Sequence, residues 1–426
     1  MAESARPQPS RTYRWMVLIF VSVAMFGNYY VYDALSPLAD VLKAQLGFTD
    51  ANIGLLQAIY SFPNIFTVVI GGVIIDRIGL RKSLMIFGVL CLIGPAITVA
   101  SGHLWLMATG RLVFGMGAES LVVAVTAALA RWFRGKELSF AFGINLMIAR
   151  LGSFAALNSP TWARQAYAHW RAPFVIALAV SSLCVIGAAI YWAMEVYAEK
   201  NFELAQASTD KVVFSDLFKF GMSYWYIVAL CVTFYSAIFP FQTCAVTFFM
   251  DAHGTSREFG GFLSSTLTLF SMFATPLFGL LVDRIGKRAV LMMFGSMLLI
   301  PVYLIMGYTH VNLYVPMGLM GVAFSLIPAV MWPSVAYIVD QSKLGTAYGL
   351  MTMIQNIGLF GFNLVIGWAN DFGNASASHP EGYRLGMWIF SILGFLGVFF
   401  SFLLHQRETG PHGHGLETIT SKSSAA

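Results

Sequence analysis

The chain has 426 residues, of which 58% are hydrophobic, 15% aromatic and only 11% charged, with a mean hydropathy of +0.72. A soluble domain carries about 25% charged residues, so this chain lacks the charge to cover a globular surface, and its net charge of +5 is too dilute for a nucleic-acid footprint. No P-loop, HExxH, GxSxG or CxxC motif is present, so the expectation is a membrane-embedded chain that is not an enzyme and calls for no cofactor.

Crossing ~30 Å of hydrocarbon takes about 20 apolar residues, and runs that long and that apolar are helices. Twelve are expected, at about 15–41, 51–75, 83–101, 104–131, 137–161, 171–195, 222–250, 258–282, 289–308, 312–339, 344–370 and 384–405. They divide the chain into a tail (1–14), a six-helix bundle (15–195), a polar linker (196–221), a second six-helix bundle (222–405) and a second tail (406–426) that reads as disordered. The first apolar run is too long for the core of a cleavable signal peptide. Eighteen Lys and Arg residues fall on the side of the termini and five (Lys43, Arg164, Arg171, Arg257, Arg384) on the other. The excess places both termini in the cytosol.

Cysteine and histidine placement argues against a metal site. Cys91, Cys184, Cys231 and Cys244 lie in apolar runs and read as buried thiols, and no histidine sits mid-span. A cluster of nitrogen and sulfur ligands at bilayer depth is therefore not expected.

The two halves repeat. Gly72-Val-Ile-Ile-Asp76-Arg77-Ile-Gly79-Leu-Arg81 recurs as Gly279-Leu-Leu-Val-Asp283-Arg284-Ile-Gly286-Lys-Arg288, and the stretch from Ala141 through Arg150 to Gly152 recurs from Ala347 through Asn356 to Gly358. Duplicated halves mark a secondary transporter with its site between the repeats. In the first repeat motif, Gly72 and Gly279 would allow close helix contact, Gly79 and Gly286 a tight turn, and Asp76 and Asp283 a cytosolic gate latch with the neighbouring arginines.

This Gly-x-x-x-Asp-Arg-x-Gly-x-Arg loop after spans two and eight resembles the signature of the major facilitator superfamily. Tyr29-Tyr30-Val-Tyr32-Asp33, Tyr60-Ser-Phe-Pro-Asn64, Gly110-Arg111 through Glu119-Ser120, Ala149-Arg150-Leu-Gly-Ser153, Phe239-Pro-Phe241, Trp332-Pro333 and Leu344 through Gly349 narrow the resemblance to the lysosomal dipeptide uniporters of that superfamily. The resemblance implies alternating access, transport of dipeptides and perhaps tripeptides without an obligatory ion gradient, and an accessory glycoprotein subunit. The N-terminal tail departs from it in having no acidic dileucine signal, which favours the cell membrane of a bacterial relative over the lysosomal membrane. Membrane lipid and a small zwitterionic peptide are the expected partners, and nothing points beyond a monomer.

Ionisable groups at bilayer depth are costly and are functional candidates by default. Four are expected here: Asp33, Arg111, Glu119 and Arg150, all in the first half. Counting residues at ~1.5 Å rise places Glu119 and Arg150 at one depth and Asp33 and Arg111 at another, suggesting two pairs. Glu119 can hold a peptide ammonium and the fork of Arg150 its carboxylate; a permanent ion pair between them is the alternative. For Asp33 and Arg111, a proton-coupling role, which the Gly110-Arg111 pattern carries in proton-coupled members of the superfamily, competes with a structural brace. Tyr29, Tyr30, Tyr32, Tyr60, Tyr235, Gln242, Trp332, Gln355 and Asn356 complete the candidate site. The rival functions are a proton-coupled peptide symporter and a carrier of small carboxylates or drugs.

Overall fold

The computed structural model describes residues 7–133, 137–202, 220–340, 343–411 and 413–420. Twelve long helices account for most of them: α1 (Arg11–Asp33), α2 (Asp50–Ile78), α3 (Leu80–Ala100), α4 (Leu104–Phe133), α5 (Leu138–Leu157), α6 (Arg171–Asn201), α7 (Met222–His253), α8 (Arg257–Ile285), α9 (Arg288–Tyr308), α10 (Tyr314–Ile338), α11 (Leu344–Phe372) and α12 (Arg384–Glu408). Among the described residues, eleven helical segments are long and apolar enough to cross a membrane. The count is twelve when α2, bent by 55° between Asp50–Thr67 and Ile70–Ile78, is taken as one span.

The sequence marks several of these boundaries. Ser10 and Ser256 cap α1 and α8 by accepting the amides of Tyr13 and Phe259, and Thr49 and Asn52 close a capping box at the start of α2. The turns that join α2 to α3 and α8 to α9 pass through Gly79 (φ +88°) and Gly286 (φ +69°), conformations that cost an L-residue a steric clash.

Three expected segments differ in detail. The first span stops at Asp33, because Pro37 lies in a short 3₁₀ turn (Ser36–Leu38) and has no amide to extend the helix; a separate helix, Ala39–Leu46, follows. The fifth ends at Leu157 and gives way to a one-turn helix, Ser159–Trp162. Helix α6 runs on to Asn201, and residues 203–219 of the expected linker lie outside the described residues.

Each half buries its own core. Phe87, Phe114, Phe133 and Tyr191 belong to the first, and Phe241, Tyr303 and Phe390 to the second. The four cysteines are buried and free.

The halves meet chiefly through α2 against α11 and α5 against α8. Their polar contacts concentrate at the end remote from the termini, called here the far end. Arg257 grips the carboxylate of Asp40 with Nε at 3.1 and 3.2 Å and a further bond from Nη2. The carboxylate of Asp371 accepts the first two amides of α2, Asp50 N at 2.8 Å and Ala51 N at 2.9 Å. Ser36 Oγ donates to the carbonyl of Gln242 at 2.5 Å. A Cβ on Gly54 would lie 2.4 Å from the Asn363 carbonyl oxygen, so the main chains touch here.

At the end bearing the termini, the ties seen among the described residues run within a half. Arg81 pairs with Glu199 at 2.6 Å, and Arg131 pairs with the buried Glu195. In the second half, Asp283 pairs with Arg288 at 3.0 Å. The halves are thus clamped together at the far end.

Candidate functional site

Between the halves lies a cavity of about 270 Å³. The first half lines it with Asn28, Tyr29, Tyr32, Tyr60, Glu119, Val122 and Arg150. The second contributes Tyr235, Phe239, Trp332, Thr352, Gln355, Asn356 and Leu359. Both charged groups come from the first half, and the second supplies only rings, amides, a hydroxyl and a leucine.

Helix phase explains which residues face the cavity. Thr352, Gln355, Asn356 and Leu359 follow the i, i+3, i+4, i+7 spacing of one α11 face, and Tyr235 and Phe239 are one turn apart on α7. Wide apolar faces of the same helices remain for the core and for lipid.

Glu119 accepts a hydrogen bond from Tyr60 Oη at 3.2 Å. Arg150 is held by rings instead: its guanidinium carbon is 5.7 Å from the ring centre of Tyr29 and 5.3 Å from that of Phe324. Its Nε is buried with no hydrogen-bond partner in the structure. The permanent Glu119–Arg150 ion pair weighed above is therefore not formed. The reason is visible in the packing, since Tyr60 occupies the carboxylate and two aromatic faces cradle the cation.

On the second-half wall, Trp332 donates from its indole to Tyr235 Oη at 2.9 Å, and its own carbonyl accepts from Tyr348 Oη at 3.0 Å. Tyr235 stacks on Phe239 with 5.6 Å between centres and 13° between planes. Phe239 meets Tyr32, and Tyr32 meets Tyr60, edge to face across the gap. These rings form a continuous aromatic wall shared by both halves.

The Asp33–Arg111 pair is not formed either. Arg111, 3% exposed, donates to the carbonyls of Val31 (3.1 Å), Tyr32 (3.5 Å) and Leu56 (3.2 Å) and to the side chain of Gln57. Val31 and Tyr32 close α1, whose last carbonyls have no partner within the helix, so Arg111 caps that helix end. Asp33 instead lies beside Ser153, within electrostatic reach of Arg150 and Arg111.

Two other candidates fall outside the cavity. Tyr30 is buried and its ring faces Trp162. Gln242 lines a separate chamber of about 10 Å³ with Tyr32, Asp33 and Gln57. Asn28, Val122, Thr352 and Leu359 enter the site without having been singled out from the sequence, and Phe239, quoted there only as part of a motif, enters with them. The α11 spacing around Asn356 was the available signal for Thr352 and Leu359.

The repeated loop behaves differently in its two copies. Arg77 and Arg284 are exposed. Arg81 reaches Glu199 on α6, whereas Arg288 is 1% exposed, pairs with Asp283 and lies over the Tyr337 ring. Gly279 has open space where a Cβ would stand, so the close helix contact expected of it is absent.

The second tail is not disordered over its described part. Residues 413–420 fold back onto the second half, with Leu416 fully buried in its core. The carboxylate of Glu408 collects Ser223 Oγ at 2.6 Å and the amides of His414 and Leu416 at 2.8 and 3.4 Å.

Comparison with known proteins agrees with this architecture. The sequence profile of the Major Facilitator Superfamily matches residues 21–243 and 243–421. The chain is 34% identical to the lysosomal dipeptide transporter MFSD1 of Danio rerio over 369 residues, 83% of this chain and 80% of that protein. With the protein of the same name from Homo sapiens it shares 32% identity over 381 residues, 85% and 81% of the two chains. Among solved structures, the crystal structure of a bacterial homologue of the human lysosomal transporter Spinster, in an inward-facing and unoccupied conformation, superposes with a TM-score of 0.77. It covers 93% of this chain and 98% of its own at 16% identity, a likeness of fold.

Proposed function

The chain belongs to the Major Facilitator Superfamily, whose members are multi-pass membrane transporters, and from that premise we propose that it carries dipeptides by alternating access as a uniporter. The observation that carries this reading is the pairing of opposite charges on one cavity wall without an ion pair between them. Arg150 offers a guanidinium whose buried Nε has no hydrogen-bond partner, and Glu119 offers a carboxylate that accepts from the neutral hydroxyl of Tyr60. A dipeptide zwitterion brings the two complementary groups in one molecule. Its carboxylate takes the fork of Arg150 bidentately, and its ammonium displaces or joins Tyr60 at Glu119.

The cavity supports a small ligand. Its volume of about 270 Å³ falls just under the roughly 300–1,000 Å³ of sites for drug-sized molecules. Trp332, Tyr235 and Phe239 face the space left for side chains, a sequence-tolerant apolar wall. Tripeptides would have to displace these rings.

In the cycle, the far-end clamp of Asp40, Arg257 and Asp371 holds one face shut. The excess of basic residues on the side of the termini supports assigning that side to the cytosol, with the far end facing outward. We place the protein in a cell membrane rather than the lysosomal membrane named for its relatives. A fluorescent fusion imaged against membrane markers tests that choice.

The decisive experiment is thermal unfolding of the detergent-purified protein against dipeptides, amino acids and monocarboxylates. A ligand at 100 times its Kd adds about 2.7 kcal/mol, so a true substrate raises Tm visibly. Dipeptides are expected to do so and their N-acetylated or C-amidated forms not. Counterflow of a labelled dipeptide without a pH gradient then tests uniport.

One observation favours a second reading. Arg150 is the unpaired partner, whereas Glu119 already has Tyr60, so a carrier of small carboxylates would need Arg150 alone. Such a carrier keeps its activity in Glu119→Gln; a dipeptide carrier loses it.

A further inference from the structure

The segment from Gly413 to Thr420 makes a dense set of contacts for a chain end. Lys287 N donates to the Glu417 carbonyl at 2.9 Å, and Ala289 N, in the first turn of α9, donates to the Glu417 carboxylate at 2.8 Å. Arg288 Nη1 donates to the Ile419 carbonyl at 2.7 Å. Gly286 makes the approach feasible, since a Cβ there would sit 2.9 Å from the Glu417 carbonyl oxygen and 3.3 Å from that of Ile419. Leu416 plugs the core beside them. Three donors of the second signature loop, Lys287 N, Arg288 Nη1 and Ala289 N, are thus spent on the tail, while Arg288 Nη2 is held by Asp283.

The first-half copy has no such cover in the described contacts. There Arg81 reaches an α6 carboxylate, Glu199, and stays about one-third exposed at 32%. The two copies of one motif are related by the internal repeat, and among the described residues the tail meets the second copy. Their donors stand at the end of the bundle that must close when the far end opens.

We infer that the tail segment 413–420 is a tethered ligand of the second signature loop and that it favours the far-closed conformer. With the tail seated, Arg288 and the amides of Lys287 and Ala289 are unavailable for any contact across the halves. Anchors on α12 through Glu408 and on α7 through Ser223 tie the loop to its own half. Closing the near end then requires the tail to lift or the whole assembly to move with it. This inference rests on the alternating-access part of the proposed function and is independent of what the cavity binds.

The test reads accessibility rather than transport. A Thr352→Cys reporter in the cavity is labelled with a membrane-impermeant maleimide from each side of proteoliposomes. Truncation after Pro411, and separately Glu417→Ala in the full chain, are expected to raise the far-side labelling rate about tenfold and several-fold. A synthetic peptide of residues 413–420 added to the truncated protein should lower it again. Asp371→Asn, which cuts the far-end clamp, is the control. If it raises far-side labelling while neither tail variant does, the tail is packing only and the inference falls, with alternating access intact. If none of the three variants changes the rate, both fall.

Discussion

Arg150 of the first half rests against the ring of Phe324 of the second, 5.3 Å from guanidinium carbon to ring centre, and the ring centre of Tyr29 is 5.7 Å away. The cation is held in place by faces that do not compete with an incoming carboxylate. A carboxylate partner in the protein would have been a rival for the same fork.

A cation–π contact at a partly desolvated site contributes roughly 0.5–2 kcal/mol. Phe324→Leu is therefore expected to weaken substrate binding by about three- to tenfold, with Phe324→Tyr close to the parent. Titration calorimetry measures both. Arg150→Lys keeps the charge but loses the planar fork, and a larger loss is expected there.

Tyr60 Oη holds Glu119 at 3.2 Å. Tyr60→Phe removes a hydrogen bond to a charged group, worth about 1.5–3 kcal/mol when buried. The freed carboxylate should bind an ammonium group no less well. Dipeptide affinity is expected to hold or rise while thermal stability drops, and parallel melting and binding curves check the pair of signs.

Asp371 sits at the start of α2, where its charge meets two orphan amides and the positive end of the helix. Asp371→Asn is expected to weaken the clamp by about 1 kcal/mol and raise far-side labelling of a cavity cysteine. Asp371→Glu, which keeps the charge, should recover part of the effect.

Gly54 is a steric test of the same interface. Its missing Cβ would stand 2.4 Å from a main-chain oxygen of α11, so Gly54→Leu pushes α2 and α11 apart where they now touch. The expected outcome is a folded protein that exposes its cavity at the far end and transports slowly, measured by labelling and by uptake.

Glu195 is 1% exposed and pairs with Arg131 at the end bearing the termini. Cutting a buried pair leaves a charge uncompensated, at about 3–5 kcal/mol. With Glu199 3.6 Å away from Arg131 to share the load, Glu195→Gln is expected near the lower figure, read as a fall in Tm without a change in substrate affinity.

Twelve apolar runs, the repeated loop and the charged candidates stood out in the sequence because a polar group in an apolar span has high contrast. Nine of the eleven proposed contacts line the cavity for that reason, among them Glu119, Arg150 and Asn356. Contrast fails for Val122, Phe239 and Leu359, which are apolar residues among apolar residues and differ from their neighbours only in helix phase. It also says nothing about partners. Arg111 was visible as a charge, yet what satisfies it is the carbonyl end of α1, and main-chain groups leave no trace in composition. Leu416 failed for the same reason, as a single leucine in a polar tail whose other ties are largely main-chain hydrogen bonds.

Both charges of the cavity ride on the same half. On the proposed cycle, a peptide gripped by Glu119 and Arg150 keeps its grip while the other wall swings past it, like a passenger who stays seated as the doors change sides. Recognition of the termini then varies little between the two ends of the journey, which flattens the energy profile and speeds turnover. It also leaves the second-half wall free to diverge. Exchanges at Trp332, Thr352 or Gln355 would then retune which side chains are welcome without touching Glu119 and Arg150, the groups proposed to hold the peptide termini.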